Sequence, residues 1–90
     1  MGELYDRMAQ DLKLKNLAAK TGQQYLACCS NFVRYHMKSP RELGETALKE
    51  YLAHLQLRGA SPEKLKMHVA GLKFLYSVTL DRAKVTKQIP

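Results

Sequence analysis

Between its glycines and prolines the chain spaces apolar residues three and four apart, the period of amphipathic helices. Leu4, Met8 and Leu12 mark a first helix over roughly residues 3–13, with Asp6 near its start. A basic connector, Lys13 to Ala19, leads to a second helix over roughly residues 19–37. On it Thr21, Tyr25, Cys28 or Cys29, Phe32 and His36 share one face. Ser39-Pro40 ends this helix, because the residue before a proline avoids the α region. A third helix is predicted over roughly residues 45–58, with the stripe Leu48, Tyr51, Leu52 and Leu55. Glu45 suits its positive end and Gly59 its stop. The fourth helix opens with Ser61 as N-cap, Pro62 at the first helical position and Glu63 in the first turn, and runs to about Thr79.

No strand-like alternation, internal repeat or low-complexity tract is present, so the fold class is all-α. The fourth helix is apolar on two sides. Leu65, Val69, Leu72 and Tyr76 make one stripe; Met67, Gly71, Phe74 and Val78 make another. Such a helix is central or has a partner outside the domain, and Gly71 allows a close helix approach. Residues Asp81 to Pro90 carry no periodic stripe. They read as a frayed tail that begins a linker, with residues 1–80 as the folded domain.

The 90 residues suffice for one small core and no second domain. Charge changes the picture more than size does. The formal net charge is +7, and the acids are segregated from much of it. Leu12 to Arg41 contains no Asp or Glu but carries Lys13, Lys15, Lys20, Arg34, Lys38 and Arg41. A second acid-free run, Lys64 to Leu80, adds Lys64, Lys66 and Lys73. An ordinary solvated face interleaves both signs; this segregation favours a polyanion such as nucleic acid.

Catalytic chemistry finds little support. His36, His54 and His68 are scattered, each on or beside an apolar stripe, and read as core or boundary residues. No metal-ligand spacing, nucleophile elbow or phosphate-cradling glycine loop is present, so no cofactor or metal is expected. Tyr25, Tyr51 and Tyr76 fall on core stripes with Tyr5 and Tyr35 beside them, and none has an activating cluster of Arg and His. Adjacent Cys28 and Cys29 read as reduced thiols, one of them buried, in a cytoplasmic protein. No apolar run is long enough for a membrane span.

Binding has more content. Opposite or beside its core stripe, the second helix sets Lys20, Gln23, Gln24, Ala27, Ser30, Asn31, Arg34 and Lys38. Cations attract phosphates, amides read adenine edges, and small residues permit close approach. The bland alternative is a solvated polar face, which normally includes Glu. On the fourth helix Lys64, Lys66, Met67 and His68 lie near the N-terminus; Met67 is either core or a base contact. Glu42, Glu45 and Glu50 lie in or near the third helix, which is therefore expected to face away from DNA.

Three segments together resemble the N-terminal SAM-like, core-binding domain of tyrosine recombinases (phage integrases), closest to the Xer-like and integron types. They are Leu17-Ala-Ala-Lys-Thr21 with Tyr25 and Phe32; Arg41-Glu-Leu with Leu48, Tyr51-Leu52, Leu55 and Gly59; and Ala60-Ser61-Pro62 with Leu65, Val69 and Leu72 to Tyr76, then Thr79-Leu80. Ala18 stands where members often carry Ser, and Lys64 where Thr is usual. The resemblance implies a four-helix bundle of two crossed hairpins, with the second and fourth helices in or near the major groove of a recombination half-site. It also implies a catalytic domain of the same parent chain, reached through a linker starting near Gln88-Ile89-Pro90, and other recombinase protomers in a synapse. The family's catalytic residues belong to that other domain, so none maps here. The DNA-contacting candidates are Lys20, Thr21, Gln23, Gln24, Arg34, Lys38, Lys64, Lys66, Met67 and Lys73. Two alternatives stay open: a helical protein–protein interaction module docking through Met67, Phe74 and Val78, and a helix-turn-helix transcription regulator.

Overall fold

The computed structural model describes residues 2–87, so the linker reading of Gln88-Ile89-Pro90 lies outside the described residues. Four α-helices follow in order: α1 (Gly2–Leu14), α2 (Ala19–His36), α3 (Glu45–Leu57) and α4 (Pro62–Phe74). No strand occurs among the described residues, and the all-α expectation is met. α1 pairs with α2 and α3 with α4, and the two hairpins join chiefly across α2 and α4.

The first three α-helices each stop for a local reason. Past α1, Asn16 turns left-handed at φ 58°. Its N–H reaches the Lys13 carbonyl and the Leu17 N–H reaches back to Leu12, the paired bonds of a Schellman stop. α3 closes the same way on Gly59, φ 83°, with Gly59 bonded to Gln56 and Ala60 to Leu55. α2 ends before the expected proline. Met37, at φ 56°, donates its N–H to Val33 at 2.8 Å and stops the helix at His36. Ser39 then caps a separate 3₁₀ turn, Pro40–Glu42, accepting from the Arg41 N–H.

α2 starts from Ala18, whose side chain offers no capping bond. α4 starts as its sequence predicts, with Ser61 Oγ accepting from the Lys64 N–H at 3.2 Å. Helical structure continues to Thr79, but Leu75–Thr79 forms a π turn. The wider turn delivers the adjacent residues Leu75 and Tyr76 to the core, and Leu75 belonged to neither stripe read from the sequence. Tyr76 is fully buried and donates to the Pro40 carbonyl at 2.7 Å, tying α4's extension to the α2–α3 connection.

The core gathers Met8, Leu12, Cys29, Phe32, Leu43, Leu48, Tyr51, Leu72, Leu75 and Tyr76. Phe32 lies at its centre, edge-on to Tyr51 at 5.4 Å and to Tyr76 at 6.5 Å. α4 touches α2 closely at Gly71, where an added Cβ would lie 3.3 Å from the Tyr25 Cα. The second stripe of α4 is partly consumed here: Gly71 is buried, and Phe74 packs against Tyr25 at 6.2 Å. Both cysteines are buried rather than one, and both are free.

The tail is the clearest correction. Ala83–Thr86 forms a 3₁₀ turn, Thr86 is buried, and Val85 packs against the core. Arg82 donates to the Arg41 carbonyl at 3.0 Å and sits over the Tyr76 ring at 5.6 Å. Residues 81–87 were expected to fray because they lack a stripe. They are instead held by individual bonds, which periodicity does not register.

Candidate nucleic-acid interface

Packing of α2 decides what remains for a ligand. Gly22, Cys28, Cys29 and Phe32 are buried, which leaves Lys20, Gln23, Gln24, Ala27, Asn31 and Arg34 exposed along the other side. No carboxylate interrupts that face. Ser30 is half-buried, and its hydroxyl donates to the Leu26 carbonyl one turn back at 2.9 Å. Thr21 is half-buried at the flank. Lys38 is exposed but lies beyond the helix end, past the left-handed Met37, so its place on the α2 face is corrected.

α4 meets this face with its N-terminal half. Gln24, Ala27 and Asn31 of α2 line a cleft of about 400 Å³ with Glu63, Lys64 and Met67 of α4. Met67 is half-buried there, between the two readings offered by its sequence position. An adjoining cleft brings Arg34 and Lys64 together with Asn31, Tyr35, His54 and Arg58.

The remaining candidates lie elsewhere. Residues two apart on a helix point about 160° apart, so Lys64 and Lys66 leave α4 on opposite flanks. Lys66 and Lys73 line an apolar groove against α3, with Lys49, Leu52, Ala53 and Val69. Gln23 also borders the α1–α2 groove beside Lys13 and Leu17. The lysines of α4 therefore do not make one positive side, as its acid-free sequence suggested. Sequence reasoning missed Arg58, His54 and Tyr35, although the acid-free stretch between Glu50 and Glu63 was a usable signal.

The buried groups near the clefts are chemically quiet. His68 is 4% exposed, and burial, then the nearby Lys64 charge, lower its pKa. Its neutral form is favoured, and its Nδ1 lies 3.4 Å from the Tyr51 hydroxyl, within hydrogen-bonding reach. Burial pushes the Tyr51 phenol up to about 12 and the Cys28 thiol up to about 11, with Lys64 opposing the latter shift. Neither is an activated nucleophile at neutral pH. Among the described residues, no three His, Cys, Asp or Glu gather as metal ligands. No described helix is long and apolar enough to cross a membrane.

The sequence model of the phage integrase N-terminal SAM-like domain matches residues 4–84, nearly the whole chain. The chain belongs to this family. The integrase/recombinase y4qK of Sinorhizobium fredii strain NBRC 101917 / NGR234 is similar to it, at 31% identity over 90 residues, or 99% of this chain. The SAM-like domain spans 29% of that relative's length. No solved structure matches the chain significantly. Family membership agrees with the three sequence segments and with the all-α bundle. In this SAM-like domain the left-out hydroxyls are visible: Ala18 leaves α2 uncapped, and Lys64 places an ammonium at the α2–α4 cleft.

Proposed function

We propose that this SAM-like domain holds duplex DNA at a recombination half-site for a site-specific tyrosine recombinase. The contact is made by the outward face of α2 and by Lys64 and Met67 of α4. The observation that carries this reading is the carboxylate-free, exposed row Lys20, Gln23, Gln24, Ala27, Asn31 and Arg34 on α2, which faces Lys64 across a cleft that Glu63 also lines. Lys20, Arg34 and Lys64 bind phosphates, while the amides of Gln23, Gln24 and Asn31 reach base edges and Ala27 lets the helix approach. Lys38, Lys66 and Lys73 extend the positive field to either side, and Thr21 supports the N-terminal turn of α2.

Strand cleavage and joining are assigned to a separate catalytic domain of the parent chain. Other recombinase protomers complete the synapse in the cytoplasm. Neutralising about 4–6 phosphates gives log K against log salt a slope of about −4 to −5. Anisotropy titrations of a labelled duplex at several salt concentrations measure this directly. An affinity that did not move between low and moderate salt would reject the reading. Lys20→Glu should weaken binding while leaving the helical circular dichroism spectrum intact, because Lys20 is exposed.

A further inference from the structure

We infer that the C-terminal end of α3 also holds DNA: Arg34, Arg58 and Lys64 form a seat for one backbone phosphate at the junction of three helices. This rests on the reading of α2 and α4 just given, and adds an element that the distribution of acids had turned away from the ligand. Glu42, Glu45 and Glu50 all lie at or before the middle of α3. Arg58 follows Glu50 by eight residues, about 12 Å along the axis, and the intervening stretch contains no acid.

The three cations come from three places and line one cleft of about 530 Å³. Arg34 is near the end of α2, Arg58 is the residue that caps α3, and Lys64 is in the first turn of α4. No carboxylate lines the cleft. None of the three is paired with an acid among the described residues, where the ion pair is Lys49 with Glu45. Like charges brought together without a counter-charge repel one another, and a bound anion relieves that repulsion. Arginine's planar fork matches phosphate oxygens in pairs.

The seat is also stiffly built. The Arg58 N–H is bonded to the His54 carbonyl, and Gly59 and Ala60 complete the stop behind it. Three residues on, Ser61 caps Lys64. In the same cleft, the Tyr35 ring lies tilted against His54 at 4.6 Å and against Tyr51 at 5.5 Å. Asn31, Arg34, Tyr35, Arg58 and Lys64 are all exposed, so the seat is open to solvent. That suits a phosphate within a continuous polymer better than an enclosed small metabolite.

The experiment uses the 90-residue chain with a labelled duplex carrying a half-site of the parent recombinase. Anisotropy is read over a salt series, and amide NMR shifts are read at low salt so that weak binding registers. Arg58→Gln and Lys64→Gln should each weaken binding by about tenfold at low salt and reduce the salt slope by about one. Arg58→Lys should keep the slope while losing part of the affinity. Lys49→Gln, on the opposite groove, should change neither. If the chain binds DNA but Arg58→Gln behaves like Lys49→Gln, the three-helix seat is overturned and the α2–α4 reading survives. If the unaltered chain shows neither anisotropy change nor shifts, both fall. Inorganic phosphate supplies the second arm. If it shifts the amides of Arg58 and Lys64 while Arg58→Gln leaves duplex affinity intact, the seat takes free phosphate and its assignment to DNA is overturned.

Discussion

His68 shows how a buried side chain makes the domain sensitive to pH. In the unfolded chain its imidazole takes up a proton near pH 6.5. In the fold, burial and then Lys64 disfavour the charged form. The unfolded state therefore holds more protons between pH 6.5 and the lower native pKa, and stability falls as pH drops through that window. Urea midpoints should be lower at pH 5 than at pH 7.5, and His68→Gln should shrink the difference. Met37 offers a second test at this scale. It ends α2 in the left-handed region while 83% exposed, so Met37→Gly removes a steric penalty without losing contacts. It should stabilise the domain by about 1 kcal/mol, measured by the same denaturation. The sequence did not disclose this stop, nor the one at Asn16, because both use residues other than glycine. Gly59 was readable for the opposite reason.

Among the elements, the α2–α4 contact and the α1–α2 contact are distinguished by two glycines. A methyl at Gly71 would press on the backbone of Tyr25 at 3.3–3.4 Å, whereas one at Gly22 would rest on Leu12 at 3.8 Å. Gly71→Ala should destabilise by about 1–2 kcal/mol, overpacking outweighing the helix-propensity gain. Gly22→Ala should stabilise by up to about 1 kcal/mol. Thermal unfolding of the two variants should move in opposite directions. Helix positions and most core residues were legible because their apolar period is local. The clefts were less so. Lys64, Lys66 and Lys73 look alike in an acid-free run, yet the packing of α4 against both α2 and α3 sends them to different grooves. Arg58 gave its signal only through missing neighbours, and its meeting with Arg34 depends on tertiary structure.

For the molecule as a whole, the end of the described chain is structural. Arg82 bonds to the Arg41 carbonyl, Val85 packs on the core and Thr86 is buried. Truncation after Asp81 should lower stability by about 2 kcal/mol, mainly through lost apolar burial, and should reduce amide protection around Pro40–Leu43. A chain that unfolded identically with and without these residues would contradict the packing described. No period announces this segment, since its fastening is made of single long-range contacts.

The π turn at Leu75–Thr79 gives the strand of helix one residue more than an α-helical path of the same span requires. Dropping exposed Ser77 would let this stretch relax to ordinary winding, so a deletion that breaks most helices is locally affordable here. Because the π turn already absorbs the extra residue, the chain from Thr79 onward would keep its orientation, and Arg82 would keep its bond to Arg41 and its place over Tyr76. The turn therefore stores one residue of slack, and losing it changes the local winding rather than the direction in which the chain leaves the bundle.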